Sequence, residues 1–197
     1  MIKYNKGSDN MMDKFTKLNT KKYKFDLKTK ICIFVFIFFI GTIIGWIYEE
    51  IFYYIFEGTL EKRGFLYGPY LPVYGFGAVF ICLFLKRFKK NPLIVFLLTM
   101  LITGILEYIT GYILWEVYHK MWWTYEGLFL NIGNYVCLRS VLTFAVAGLA
   151  LIYLIEPYIL KIVNKSKKDN IYNCAIIILM IFVTDFVLTI LYRNTIF

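Results

Sequence analysis

Five windows of the chain, at about 31–56, 65–85, 93–118, 132–160 and 171–192, each run for the roughly 20 mostly apolar residues that a membrane-spanning helix needs. Nothing else constrains the fold as tightly. In hydrocarbon every backbone polar group must be satisfied within the protein, and a helix does this segment by segment. The windows take up nearly all of the chain beyond residue 30, so no length is left for a soluble catalytic domain. Composition agrees, with 60% of the 197 residues hydrophobic and 18% charged. The expected fold is all-α: one polytopic bundle of about five transmembrane helices over residues 31–197, a multi-pass protein of the cell membrane.

The first window is too long for a signal-peptide core. About thirty polar residues precede it and no small-residue cleavage pattern follows, so it is expected to stay as an anchor. Basic residues set the orientation. Residues 1–30 and the links at 86–90 and 161–168 hold 17 Lys and Arg, whereas the alternate links and the C-terminus hold 4. By the positive-inside rule the N-terminus is cytoplasmic and, after five spans, the C-terminus is outside. This also accounts for the formal charge of +9. The tail at 1–30 is lysine-rich, lacks arginine and has few aromatics, which reads as a disordered segment drawn to anionic lipid. Nucleic-acid binding would need a folded basic face with stacking or base-reading groups, so no such partner is expected.

Cys32, Cys82, Cys137 and Cys174 are scattered over the spans with no close-spaced pair, so neither a disulfide framework nor a zinc ribbon is indicated. His119 is the sole histidine, and a metal site there would need carboxylates from other helices. No metal or other cofactor is expected. No serine or cysteine pairs with histidine in a nucleophile pattern, and neither an H-E-x-x-H nor an ATP-binding motif occurs.

The helix rise of about 1.5 Å per residue turns position into depth. Entering from the cytoplasm, Glu49 lies about 27 Å along the first span, Glu107 about 21 Å along the third and Asp185 about 21 Å along the fifth. Entering from outside, Arg139 lies about 10 Å into the fourth. All fall in the outer half, where an unpaired charge costs about 2.5–3.5 kcal/mol at mid-bilayer. Glu49, Glu107 and Arg139 come from different helices at similar heights, and Glu107 is expected to pair with Arg139. Glu50, Glu116 and Asp185 also fit headgroup level. Gly41, Gly45 and Glu49 share one helical row, a small-residue pattern that lets helices approach and turns Glu49 inward. Thr103, Glu107 and Thr110 form a polar row on the third span, and Arg139, Thr143 and Ala147 one on the fourth. These rows suit a small cavity open to the outside.

The stretch "RGFLYGPYLPVYGFG" puts Gly68, Pro69 and Pro72 at membrane depth, where irregular backbone is tolerated only under protein cover or beside a wet cavity. It reads as a bent lead-in over the Glu49, Glu107 and Arg139 level, with Tyr67, Tyr70 and Tyr74 offering hydroxyls. A plain loop with proline in the first helical turn is the simpler alternative. In the link "HKMWWTYEGLFLN", Trp122, Trp123 and Tyr125 read as an interfacial aromatic belt, or as a stacking surface for a ligand.

Taken together, "GW-x-YE" at Gly45 to Glu49, "RGFLYGPYLPVYGFGA", "EY" at Glu107 and Tyr108, "H-x-x-WW-x-Y" from His119 to Tyr125, and "N-x-G" before Cys137 resemble the bacterial CmpB-like, or type IV, family of ABC-transporter permeases. The resemblance spans roughly residues 34–160, with the last span mostly beyond it. Its matching positions are Glu49, Arg63, Gly64, Gly68, Pro69, Pro72, Tyr74, Gly75, Glu107, Tyr108, His119, Trp122, Trp123 and Tyr125. It implies an integral-membrane transport subunit working with a separate ATP-binding subunit, with a homo-oligomer also open. In that case Glu49, Arg63, Tyr67, Tyr70, Tyr74, Glu107, Tyr108 and Arg139 are the candidate residues for a small polar or anionic solute. The alternative is a membrane-embedded enzyme or receptor acting on a lipid headgroup or envelope precursor. It would use Glu49 or Glu107 as general base and Arg63 or Arg139 to hold an anionic group.

Overall fold

The computed structural model describes residues 23–58 and 62–193. Residues 1–22 of the lysine-rich tail, and its expected disorder there, therefore lie outside the described residues. Helix α1 (Leu27–Glu57) opens the bundle. An irregular stretch at 62–71 leads into the shorter α2 (Pro72–Leu85), which runs into a 3-10 turn at Lys86–Phe88. Next come α3 (Pro92–Tyr118), α4 (Leu138–Ala150), a π-helical turn at Leu151–Ile155, and α5 (Glu156–Lys165). Helix α6 (Lys168–Leu188) closes the order with a second π turn at Thr189–Arg193. Among the described residues an isolated bridge, Ile132 to Val136, is the sole β feature.

Among the described residues four stretches are long and apolar enough to cross a membrane: Leu27–Phe56, Pro92–Tyr118, Leu138–Lys165 and Lys168–Tyr192. The segment expected at 65–85 is different. Its helix has 14 residues, about 21 Å against the roughly 30 Å of a hydrocarbon core. Irregular backbone makes up the remainder.

Local chemistry explains the boundaries. Helix α1 starts four residues before the apolar window because the Asp26 carboxylate accepts the Thr29 N–H at 3.3 Å. Asp26 also accepts from Lys168 Nζ and Tyr172 Oη, both at 3.2 Å, which fastens the start of α1 to the start of α6. Asn91 caps α3 by accepting from the Leu93 and Ile94 N–H groups, with Pro92 in the first turn where its missing N–H costs nothing. Helix α4 begins at Leu138, not near residue 132, since Gly133 and Asn134 take positive φ in the preceding turn. Arg139 consequently sits in the first turn of α4 and not a third of the way down a span. The π turn ends two residues before Pro157, whose ring removes a helical N–H and crowds the preceding turn.

Helix α3 shows the solvent for which the fold is built. Leu93, Leu97, Leu101, Ile105, Ile109 and Ile113 form an exposed stripe, while Val95, Thr99, Thr103, Glu107 and Gly111 are buried. Each set repeats every four residues, so the greasy face points out and the polar face in. That inversion has a physical reason in lipid and none in water. Helix α6 is similar, exposing Ile176, Ile177, Met180, Val183 and Val187.

Close contact between helices rests on small residues. A Cβ at Gly41 would come within 2.9 Å of the Ala78 Cβ, and one at Gly45 would collide with the Tyr74 ring. Across the same α1–α2 seam, a Cβ at Gly75 would strike Thr42 and Phe38. Between α3 and α4, Gly148 leaves room for Thr99. At the end of the bundle carrying the basic links, buried Glu156 forms ion pairs with Lys86 and Lys89. Burial pushes the Lys89 ammonium below its ordinary range, opposed by Glu156. Cys32, Cys82 and Cys137 are buried free thiols, and Cys174 is exposed.

The seam gives a paired expectation. Gly45→Ala drives a methyl into the Tyr74 ring and lowers stability in detergent by about 1–3 kcal/mol. In Gly77→Ala the new methyl meets nothing within 4 Å, and stability holds or rises by up to about 1 kcal/mol. Thermal denaturation of the two purified variants checks the contrast. Equal effects would mean that the seam is not closely packed.

Candidate functional site

A cavity of about 340 Å³ opens between α1, α2, α3, α4 and the link at 119–137. Its polar lining includes Glu49, Tyr74, Thr103, Glu107, Tyr125, Arg139, Ser140 and Thr143, and its apolar lining includes Phe52, Trp122, Trp123 and Phe144. Two carboxylates from distant parts of the chain thus face one space.

Each carboxylate is held by hydroxyl groups. Tyr74 Oη donates to Glu49 Oε1 at 2.8 Å, and its position follows from Gly45, whose lack of a side chain admits the tyrosine ring beside α1. Glu107 takes one donor on each oxygen: Tyr125 Oη at 2.6 Å and Ser140 Oγ at 2.8 Å. Ser140 belongs to the capping turn of α4, where its Oγ also accepts the Cys137 N–H at 3.2 Å. The link is fixed in place by Trp123 Nε1 donating to the Tyr135 carbonyl at 2.9 Å and by the Tyr125 N–H donating to the Asn134 carbonyl at 3.0 Å. Burial, reinforced by the Glu107 charge, pushes the Tyr125 phenol above its ordinary range and keeps it a donor.

Among the described residues neither Glu49 nor Glu107 forms an ion pair. The expected Glu107–Arg139 bridge is replaced by the two hydroxyl donors, because Arg139 and Ser140 leave α4 about 100° apart and Ser140 takes the inward direction. The Arg139 guanidinium instead lies 5.0 Å from the Phe52 ring centre, exposed at the cavity margin. The Arg63 guanidinium is stacked on Tyr53 at 3.0 Å, and its backbone N–H donates to Glu50 Oε1 at 3.1 Å.

The structure thus brings Glu49, Tyr74, Glu107 and Arg139 to one cavity, with Gly41, Gly45, Trp122 and Trp123 in its wall. Arg63, Tyr67, Tyr70 and Tyr108 are not on it. Tyr108 packs edge-on against Tyr135 at 5.5 Å, and Tyr70 packs against Phe39 and Phe182. The glycines and prolines of the irregular stretch shape its path: Gly64 has φ 90°, a conformation that a side chain would strain. Pro69 falls in the bend closed by the Tyr70 N–H on the Gly68 carbonyl at 2.9 Å. Pro72 starts α2, and the Leu71 N–H donates to the Thr42 carbonyl at 3.2 Å.

Three of the side chains that organise this region have parts that sequence reasoning did not give them: Ser140 was passed over, Tyr125 was read as part of an aromatic belt or stacking surface, and Asp185 as an outer-half charge. Ser140 and Tyr125 hold Glu107. Asp185, read as a headgroup-level charge, accepts the Tyr67 N–H at 3.0 Å and the Gly68 N–H at 2.7 Å. Thr189, one turn further along, donates to the same carboxylate at 3.1 Å. The available signal was the Asp185–Thr189 spacing of four, which places both groups on one face.

A profile of the family described as "Putative ABC-transporter type IV" matches residues 36–190. The match covers most of the chain and includes the last span, beyond the reach of the motif resemblance. The chain belongs to this family and is a multi-pass membrane protein. No curated protein and no solved structure matches it.

Asp185 supplies the irregular stretch with two charge-assisted bonds, each worth about 1.5–3 kcal/mol. Asp185→Ala is expected to raise the rate of tryptic cleavage at Lys62 and Arg63 by at least about tenfold, since cleavage follows the open population. Unchanged cleavage would mean that the stretch is held elsewhere.

Proposed function

We propose that the protein is the membrane-embedded permease subunit of an ABC-type transporter, and that a small polar solute binds between Glu49, Glu107 and Arg139. One observation carries this reading. Two carboxylates face a single cavity with hydroxyl donors but no ion-pair partner among the described residues. Intramembrane acids are costly and mark solute or ion paths, and a concave, mostly apolar space with a few convergent polar groups is the usual form of a small-molecule site. Family membership supports the transport role. These 197 residues hold no phosphate-binding loop, and family membership supports a separate subunit for the hydrolysis of ATP. The uneven distribution of basic residues favours a cytoplasmic N-terminus, with the cavity in the outer half of the membrane.

The protein, tagged and purified in mild detergent from its native host, is expected to bring down an ATP-binding subunit whose hydrolysis changes at least about threefold in Glu107→Gln, a loss of roughly 0.7 kcal/mol or more. Recovery of folded protein without any ATPase would overturn the permease reading. The topology has its own check. Reporter fusions at Lys89 and Lys167 should read inside, and a cysteine replacing Thr143 in a background cleared of native thiols should react with an impermeant reagent added outside. Labelling only from the cytoplasmic face would invert the orientation.

A further inference from the structure

The charges on the cavity wall have a pattern that narrows the solute. Glu107 is 7% exposed and has one hydroxyl donor on each oxygen. Glu49 has a donor on Oε1 alone, leaving Oε2 without a hydrogen-bond donor among the described residues. A carboxylate in a membrane-spanning segment with a vacant lone pair on a cavity wall is an acceptor for an incoming N–H. Arg139 lines the same cavity from α4 and is engaged by no carboxylate there, only by the face of Phe52. Phe52 is three residues after Glu49 on α1, about 4.5 Å further along the axis. The acid and the guanidinium are thus set apart along one edge of the space instead of neutralising each other. The remaining wall is apolar: Trp122, Trp123 and Phe144 offer surfaces that attract an ammonium, and aliphatic residues such as Ile44, Ile81 and Leu151 bury an apolar body.

We propose, resting on the solute-binding reading above, that the cavity takes a small zwitterionic amine, with its ammonium on Glu49 and its anionic group on Arg139. A simple cation would leave the guanidinium without an anion and would be repelled by it. A simple anion would lie beside two carboxylates. A zwitterion completes both ends, and the apolar wall encloses what joins them.

Three probes share a benzene ring and a two-carbon chain: phenylalanine carries both charges, phenethylamine the ammonium and 3-phenylpropanoate the carboxylate. A fourth, 2-phenylethanol, is neutral. Binding to the full-length protein in nanodiscs can be read by quenching of the cavity tryptophans and by thermal shift. The expected result is that phenylalanine binds at least about tenfold more tightly than the other three. Arg139→Gln should abolish its advantage over phenethylamine, and Arg139→Lys should restore part of it. Arg139 is exposed, so this substitution leaves folding intact, whereas Glu49→Gln needs a size-exclusion check before its expected loss of both amines is read. Tighter binding of 3-phenylpropanoate or 2-phenylethanol would overturn the zwitterion while leaving a polar-solute cavity in place. So would an equal effect of Arg139→Gln on all probes. No saturable binding of any probe up to about 10 mM overturns the zwitterion. Only if the cysteine at Thr143 also resists labelling does the cavity reading fall with it.

Discussion

The buried row of α3, Val95, Thr99, Thr103, Glu107 and Gly111, is the constraint on which the rest of the bundle depends. A polar row in a membrane helix must find partners inward, and each member does so differently. Thr99 and Thr103 return their hydroxyls to their own helix, donating to the Val95 and Thr99 carbonyls at 2.7 and 2.8 Å. The Thr99 side chain, methyl and hydroxyl together, then seats against Gly148, where no Cβ stands in its way. Gly111 accepts the Tyr135 ring. Glu107 cannot be satisfied by its own helix, so it draws in Ser140 from α4 and Tyr125 from the link. The docking of α4 and the fold of the link both follow from that requirement.

Helices α1 and α2 solve the same problem from the other wall. Glu49 lies on the row of Gly41 and Gly45, and the glycines bring α2 close enough for Tyr74 to reach it. Because the ring fills the space left by Gly45, the hydroxyl has little freedom to leave the carboxylate. The cavity is the volume remaining between two acids held by separate hydroxyl groups, Glu107 on both oxygens and Glu49 on one, which explains why it carries charge on both sides without an ion pair across it.

Much of this was legible in the sequence because membrane helices obey a length rule and a polarity rule at once. The spans around α1, α3 and α6 followed from apolar run length, and the inward direction of Glu49 from the glycine spacing. The bend at 62–71 was visible in Gly68, Pro69 and Pro72. What could not be read was partner choice. Charge complementarity favours Arg139 for Glu107, but Arg139 and Ser140 are neighbours on a helix and only the cap formed with Cys137 decides which of them turns inward. The start of α4 was misplaced for a related reason. Residues 132–136 are apolar enough to pass for helix, while the positive φ of Gly133 and Asn134 folds them into the link. Asp185 was underrated because its partners are backbone N–H groups of an irregular segment, which no side-chain pattern announces.

The two ends of the bundle are joined through one local irregularity. Leu151 and Ile155, the first and last residues of the π turn, lie on the cavity wall. The next residue, Glu156, is buried between Lys86 and Lys89 of the basic link. A regular α-helix through 151–156 would rotate Glu156 relative to Leu151, so both contacts cannot be kept unless the extra residue of the π turn is retained. Pro157 keeps it, since the missing N–H removes the bond that would close a regular turn there. Tyr153, inside the same turn, donates to the Lys89 carbonyl at 2.7 Å and braces the link from its other side. The inner lining of the cavity and the lysines of the link are therefore parts of one packed unit, and neither can move without the other being repacked.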